Sequence, residues 1–157
     1  RRQRQMCIRD REYTAYAADT LGEAGIEFIY NFECDEDREI NIDPAQFRRV
    51  LNNLIDNSRK YGAEDGTAKI MLSVRNGENG HTEISIEDNG QGVPADERDK
   101  IFETFYRGDK ARTGHKNGSG LGLAITKQIT DRHGASIRAD ESELGGLKVI
   151  IDLPQAK

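Results

Sequence analysis

Residues 43–61 read D-P-A-Q-F-R-R-V-L-N-N-L-I-D-N-S-R-K-Y, and this stretch decides the fold. Asp43 is a helix-capping residue type, Pro44 suits the first helical position, and Gln46 stands where it completes a capping box. Ile42 and Phe47 are spaced for a hydrophobic staple across that start. Phe47, Val50, Leu51, Leu54 and Ser58 then recur at helical spacing, which predicts a buried stripe. Gly62 and Gly66 end the helix. At about 100° per residue, Asn53, Asn57 and Lys60 form a second stripe beside the apolar one. Residues placed there sit at the edge of the core and face a cleft. An Asn amide oxygen is a neutral ligand for a hard cation, and nucleotide-bound magnesium takes one or two protein oxygens besides phosphates and waters. Lys60 offers a point charge to phosphate. The alternative is a solvated helix face, but Asn is a mediocre helix former and gains little when exposed mid-helix. Asparagine at 52, 53 and 57 fits that alternative poorly.

Working outward, residues 12–22 predict a helix with Tyr13, Ala17 and Leu21 on one face, stopped near Gly22. Ile26 to Phe32 and Glu39 to Ile42 read as strands. Ala68 to Val74 and Thr82 to Glu87 follow, with Ile84 and Ile86 alternating with polar residues. Asn76-Gly77 and Asn79-Gly80 between them predict a hairpin. Pro94 to Phe102 can hold a short helix. Residues 107–119 lack an apolar period and contain Gly108, Gly114 and Gly118, so they read as a mobile loop. A helix over Leu121 to His133, with Gly134 as its C-cap, leads to closing strands at Ala135 to Ala139 and Leu147 to Leu153. The predicted fold is α/β, a two-layer sandwich whose mostly antiparallel mixed sheet carries helices on one face. Residues 1–11 are basic with little apolar pattern and read as an upstream linker or vector-derived sequence. Residues 12–157 form the domain. Arg1 stands where a Met would begin a complete chain, so the sequence reads as a fragment or a processed product.

Two more stretches carry chemistry. Ile84 to Asp88 ends a strand, and the chain breaks into Asn89-Gly90-Gln91-Gly92-Val93-Pro94. Glycines two apart let backbone approach a flat ligand, and a carboxylate at a strand end can accept a hydrogen bond from an exocyclic amine such as that of adenine. The same residues are strong turn formers in any protein. Next, Gly118-Ser119-Gly120-Leu121-Gly122-Leu123 opens a helix, and exposed amides at a helix N-terminus favour anions. Arg107, Lys110, Arg112, His115 and Lys116 precede it as candidates to meet phosphate. A glycine-tolerant surface loop is the alternative. These glycines follow a loop, not a strand, and the chain has no G-x-x-x-x-G-K-[ST]. The dinucleotide and P-loop folds are therefore disfavoured.

The balance of 23 basic against 28 acidic residues gives a net charge of −5. A basic surface is what nucleic acid and anionic membranes select, so neither is expected to contact this domain. No apolar run is long enough to cross a bilayer as a helix, and no signal peptide is visible. Cys7 and Cys34 are too few for a disulfide framework and lack metal-ligand spacing, which makes a reducing compartment the expectation.

Together these stretches resemble the catalytic and ATP-binding domain of bacterial sensor histidine kinases, in the group that includes gyrase, the Hsp90 chaperones and the MutL repair proteins. Arg49 to Tyr61 resembles the asparagine box and Asp88 to Pro94 the first glycine box. Ile101 to Arg107 (I-F-E-T-F-Y-R) resembles the phenylalanine box, and Gly118 to Ile125 (G-S-G-L-G-L-A-I) the second glycine box. Gly145 to Pro154 is similar to the closing strand. The resemblance spans residues 12–154. It implies ATP and Mg2+ as cofactors, with Asn57 holding the metal and Asn53, Lys60 and Tyr61 contacting the nucleotide. It implies that Asp88 binds the adenine amine, with Gly90, Gly92 and Val93 beside it. Arg107 reaches the phosphates, while Gly118, Gly120, Leu121, Gly122 and Leu123 shape the lid hinge and the phosphate-facing helix start. Asn53, Lys60 and Arg107 are the implied catalytic residues. Lys148 departs from the pattern, standing where the family often has a small hydroxyl residue, and no ligand contact is expected of it.

Hydrolytic members of the group place a Glu where this chain has Asn53, and that Glu is a general base. An amide cannot take a proton at neutral pH, so Asn53 opposes an efficient ATPase. A histidine kinase also needs a phosphoacceptor His followed by an acidic residue. His81 precedes Thr82, His115 precedes Lys116 and His133 precedes Gly134, so none fits. The expected function is binding of Mg-ATP and donation of its γ-phosphoryl group to a histidine on a separate phosphoacceptor module of the same parent, with a response regulator downstream. The expected location is the cytoplasmic part of a membrane-bound sensor. The alternatives are an ATPase of the same group and a nucleotide-binding scaffold without phosphotransfer.

Overall fold

The computed structural model describes residues 5–7, 11–34, 39–63, 66–103 and 122–154. The expected lid loop at 107–119, with Arg107, Gly118, Gly120 and Leu121, lies outside them. In chain order the elements are β1 (Gln5–Cys7), α1 (Arg11–Glu23), β2 (Glu27–Glu33), β3 (Glu39–Asn41), α2 (Pro44–Tyr61), β4 (Lys69–Asn76), β5 (Thr82–Asp88), α3 (Gly122–Arg132), β6 (Ser136–Glu141) and β7 (Leu147–Leu153). Five strands form one sheet in the order β2-β4-β5-β7-β6. β2 and β4 are parallel, and the other neighbours are antiparallel. This is the expected α/β sandwich. Within the stretch read as a linker, β1 pairs antiparallel with β3, Met6 opposite Ile40.

Alternation along the strands sorts the side chains. Ile70, Leu72 and Val74 of β4, Ile84 and Ile86 of β5, and Leu147, Val149, Ile151 and Leu153 of β7 share one face and are buried. The α2 stripe of Phe47, Val50, Leu51, Leu54, Ile55 and Ser58 packs over that face, with α3 beside it. Each large aliphatic side chain so buried contributes about 1.5–3 kcal/mol, which is why α2 holds despite its polar second face. Lys148 falls on the other side of the sheet, opposite Glu87 and Asp140 in register. The rows Glu33–Arg75–Glu83 and Glu87–Lys148–Asp140 alternate in charge there, an arrangement that favours this register.

Two local expectations need correction. Asp43 is the N-cap of α2 and Pro44 opens the helix, but the Asp43 side chain makes no capping hydrogen bond. Its carbonyl accepts from the Phe47 N–H at 2.9 Å, and the Gln46 Oε1 is buried without a partner. The capping box is therefore not formed. Second, residues 94–102 form two 3-10 turns, Ala95–Glu97 and Lys100–Phe102, not one helix. Only Ile101 and Phe102 of these are buried, too short an apolar contact to support regular turns. The β4–β5 hairpin forms as expected, with Asn79 and Gly80 as the central residues of its turn at φ 56° and 78° and the His81 N–H donating to the Glu78 carbonyl at 3.0 Å across them. Among the described residues no helix is long and apolar enough to cross a membrane.

Candidate functional site

The C-terminal half of α2, the end of β5 and the start of β7 meet around one carboxylate. Asp88 closes β5 on the same face as Ile86, and only 2% of it is exposed. Its Oδ1 accepts the Gly90 N–H at 3.0 Å and the Leu147 N–H at 3.2 Å. The Ser58 hydroxyl of α2 donates to the same side chain. Burial pushes the Asp88 carboxyl above its ordinary range, and neighbouring Glu87 adds to this. The two backbone donors and Ser58 pull it partly back.

Glycines make this convergence possible. A Cβ on Gly146 would collide with the Asp88 Oδ1, and it would lie 2.6 Å from both the Asp88 carbonyl oxygen and the Gly90 nitrogen. The Gly146 N–H donates to that carbonyl at 3.1 Å. A Cβ on Gly90 would collide with the Tyr61 carbonyl oxygen and stand 2.7 Å from the Gly62 Cα. The close approach at Gly90 is thus to the end of α2, and it sets α2 against the strand end. Gly92 has φ 71°, a left-handed conformation that suits glycine. Asn89 is committed to the fold. Its amide donates to the Thr67 carbonyl at 2.7 Å and accepts the Lys69 N–H at 2.9 Å. Val93 is half-buried against the core, and its carbonyl accepts from Arg98 at 3.2 Å.

The polar stripe of α2 runs from this carboxylate toward α3. Asn53, Asn57, Lys60 and Tyr61 are all half-buried. The Asn53 Nδ2 lies 3.4 Å from the Thr126 Oγ1 of α3, whose hydroxyl donates to the Gly122 carbonyl at 2.9 Å. Lys60 pairs with Asp56 at 3.1 Å, with both side chains partly exposed. A pair of that kind is worth about 0–1 kcal/mol, too little to keep Lys60 from an incoming anion. Gly122 is the first residue of α3, and Leu123 packs half-buried against the core. The structure therefore places Asn53, Asn57, Lys60, Tyr61, Asp88, Gly90 and Gly92 along α2 and the end of β5, with Gly122 bonded to the Thr126 that meets Asn53. Lys148 is not among them. Three residues that hold this arrangement have no assigned role in the sequence alone. Ser58 shows only as part of the buried stripe, Gly146 only within a closing strand, and Thr126 not at all. Gly145-Gly146 before a strand is the one usable signal. Among the described residues no three of His, Cys, Asp and Glu cluster as a metal site.

A buried carboxylate at a strand end, beside an asparagine-bearing helix in this sandwich, is the arrangement expected from the resemblance of the sequence. Residues 42–157 match the family described as histidine kinase-, DNA gyrase B-, and HSP90-like ATPase, and the chain belongs to that family. It is 41% identical over 132 residues to the sensor histidine kinase WalK of Bacillus subtilis (strain 168), a match covering 84% of this chain and 21% of that protein. It is 42% identical over 112 residues to the sensor protein kinase WalK of Staphylococcus aureus (strain JH9), covering 71% and 18%. The chain thus spans about a fifth of the curated relatives it matches. Among solved structures it resembles the mycobacterial sensor histidine kinase MprB, with a TM-score of 0.78 at 26% identity, covering 98% of this chain and 97% of that one. The catalytic domain of the histidine kinase ThkA shares the fold, with a TM-score of 0.81 at 24% identity over 99% and 97% of the two chains. ThkA has also been solved in complex with the response regulator protein TrrA, where the match has a TM-score of 0.77 at 23% identity over 98% of this chain and 42% of that one.

Proposed function

We propose that this chain is the catalytic part of a sensor histidine kinase. It binds Mg-ATP and donates the γ-phosphoryl group to a histidine on a separate module of its parent, from which a response regulator takes it. Residues 12–157 are the catalytic unit and residues 1–11 an upstream linker, whose β1 pairs with β3 of that unit. The parent is a membrane-bound sensor with this part in the cytoplasm. The observation that carries the reading is Asp88, a carboxylate brought to the helix side of the sheet and fixed by donors from three segments. Held in this way, it is an acceptor for the exocyclic amine of adenine.

The donor set along α2 suits magnesium. It offers the neutral amide oxygen of Asn57 rather than a carboxylate cage, which matches a hard cation that keeps its waters and the phosphates as ligands, with Asn53 beside it for the nucleotide. Bound there, the ion would neutralise charge on the β- and γ-phosphates. Lys60 adds a second positive charge. In the transfer, the bond from the γ-phosphorus to the β-bridging oxygen breaks, a bond to an imidazole nitrogen forms, and ADP leaves. The chain contributes positioning and charge neutralisation. Asn53 provides no base to activate water. Of the described histidines, His81 lies 3.1 Å from Asp152, and the His133 ring nitrogen is 2.7 Å from the Ile129 carbonyl. Neither is followed by an acid, which supports an acceptor supplied from elsewhere.

The test incubates the chain with γ-labelled ATP, alone and with the parent's acceptor module. We expect tight binding, very slow hydrolysis, no self-labelling, and transfer to the module's histidine. Brisk turnover by the chain alone would favour an ATPase. Tight binding with no transfer would favour a scaffold.

A further inference from the structure

Thr126 is fully buried at 0% exposure and lies 73 residues from Asn53 in the sequence. Back-bonding to a carbonyl four residues earlier is ordinary for a threonine in a helix, and Thr126 does this to Gly122. The use of its lone pair is less ordinary. A hydroxyl has one proton. With that proton directed at the Gly122 carbonyl, Thr126 Oγ1 can only accept from Asn53, and only the Asn53 Nδ2 can donate. The direction of the hydrogen-bond chain therefore sets the amide. Its nitrogen points to Thr126, and its oxygen is turned away from α3.

An amide torsion of this kind is soft and roughly two-fold. Without a partner, Asn53 would present either end to its surroundings. A cation, or a water held by one, is attracted to the oxygen and repelled by the NH2 group. We propose that Thr126 is a positioning residue that keeps the Asn53 oxygen available to the metal-bearing phosphates of the nucleotide. This rests on the Mg-ATP reading above. The hydroxyl is the working part, since valine has the same shape and cannot accept a hydrogen bond.

Two measurements test the inference. Calorimetry compares wild type, Thr126→Val and Thr126→Ser chains with Mg-ATP, and with ADP in excess chelator. Thr126→Val should bind Mg-ATP about tenfold more weakly, or about 1.4 kcal/mol, while chelated ADP binds within about twofold of wild type. Thr126→Ser should restore Mg-ATP binding. A merely structural role would weaken both ligands together. The second measurement needs no variant. Side-chain amide NMR of the wild-type chain should show one Asn53 Nδ2 proton protected from exchange and the other exchanging fast. Equal exchange of the two protons overturns the proposal, as does unchanged Mg-ATP affinity in Thr126→Val, equal losses for both ligands, or no rescue by serine. A wild-type chain that binds neither nucleotide overturns the Mg-ATP reading and the inference with it. Normal wild-type binding with an indifferent Thr126→Val overturns the inference alone.

Discussion

Replacing Gly146 by alanine should disable the site by displacing the backbone that holds Asp88. The new methyl would collide with the Asp88 Oδ1 and lie 2.6 Å from two backbone atoms, the Asp88 oxygen and the Gly90 nitrogen. Backbone cannot swing aside as a side-chain tip can, so the start of β7 must move away from β5. That movement weakens the Gly146 N–H to Asp88 carbonyl bond at 3.1 Å and the Leu147 N–H to Oδ1 bond at 3.2 Å. Overpacking of this kind costs about 1–3 kcal/mol. The neutral bond adds about 0.5–1.5 kcal/mol, and the bond to the carboxylate about 1.5–3 kcal/mol. Relief of the clash overlaps with loss of the bonds, so about 2–5 kcal/mol is expected. Gly145 is the control. It has φ 108°, and a methyl added there would meet nothing within 4 Å, so Gly145→Ala costs about 1–3 kcal/mol through backbone strain alone. Urea unfolding should show both variants destabilised. ADP calorimetry at a temperature where both remain folded should show binding lost only in Gly146→Ala. Wild-type affinity in folded Gly146→Ala, or equal loss in Gly145→Ala, would refute the reasoning.

Three further outcomes are expected. Ser58→Ala removes a buried hydroxyl donor from Asp88; it should cost about 2 kcal/mol in urea unfolding and raise the Asp88 pKa further, read by carboxyl NMR titration. Leu54→Ala, at a side chain 2% exposed in the core, should cost about 2–5 kcal/mol by the same unfolding assay. For pH, the Asp88 carboxyl in the folded chain lies above its ordinary 3.8, so ionisation is less favourable folded than unfolded. Its contribution to stability is full below 3.8 and is lost as pH rises through the raised folded value. Stability curves of wild type and Asp88→Asn should diverge in that sense over this window, while adenine-nucleotide affinity should strengthen as the carboxylate ionises.

Much of the scaffold was legible because it is written in local periods. The α2 stripe from Phe47 to Ser58, the alternation around Ile84 and Ile86, and the Asn-Gly pairs each state their structure within a few residues. The positions of the candidate residues were legible too, since the α2 period places Asn53, Asn57 and Lys60 on one stripe and the β5 alternation places Asp88 at the strand end. What supports them was not. Asn53 meets Thr126 across 73 residues, and Asp88 meets Leu147 across 59, distances at which no local pattern speaks. Ser58 looks like any small core residue until Asp88 arrives above it. Gly90 shows a second limit: the sequence demands a bare backbone there, and only the fold reveals that the demand comes from the end of α2. The missing capping box at Gln46 and the paired 3-10 turns failed differently: the local signal was present, but the Gln46 Oε1 found no partner and only Ile101 and Phe102 of residues 94–102 are buried.

The sheet order also bears on how the chain is made. β7 is synthesised after β6 yet lies between β5 and β6. Until it emerges from the ribosome, β5 presents an open edge along Thr82–Glu87, and β6 has no neighbour in the sheet. Open edges of this kind recruit other strands. While the nascent chain passes through that hazard, Asp88 still lacks the Gly146 and Leu147 amides that fix it. With Asp88 as the proposed adenine acceptor, nucleotide binding waits for completion of the sheet, and a polypeptide halted before residue 147 leaves both Asp88 and the β5 edge unsupported.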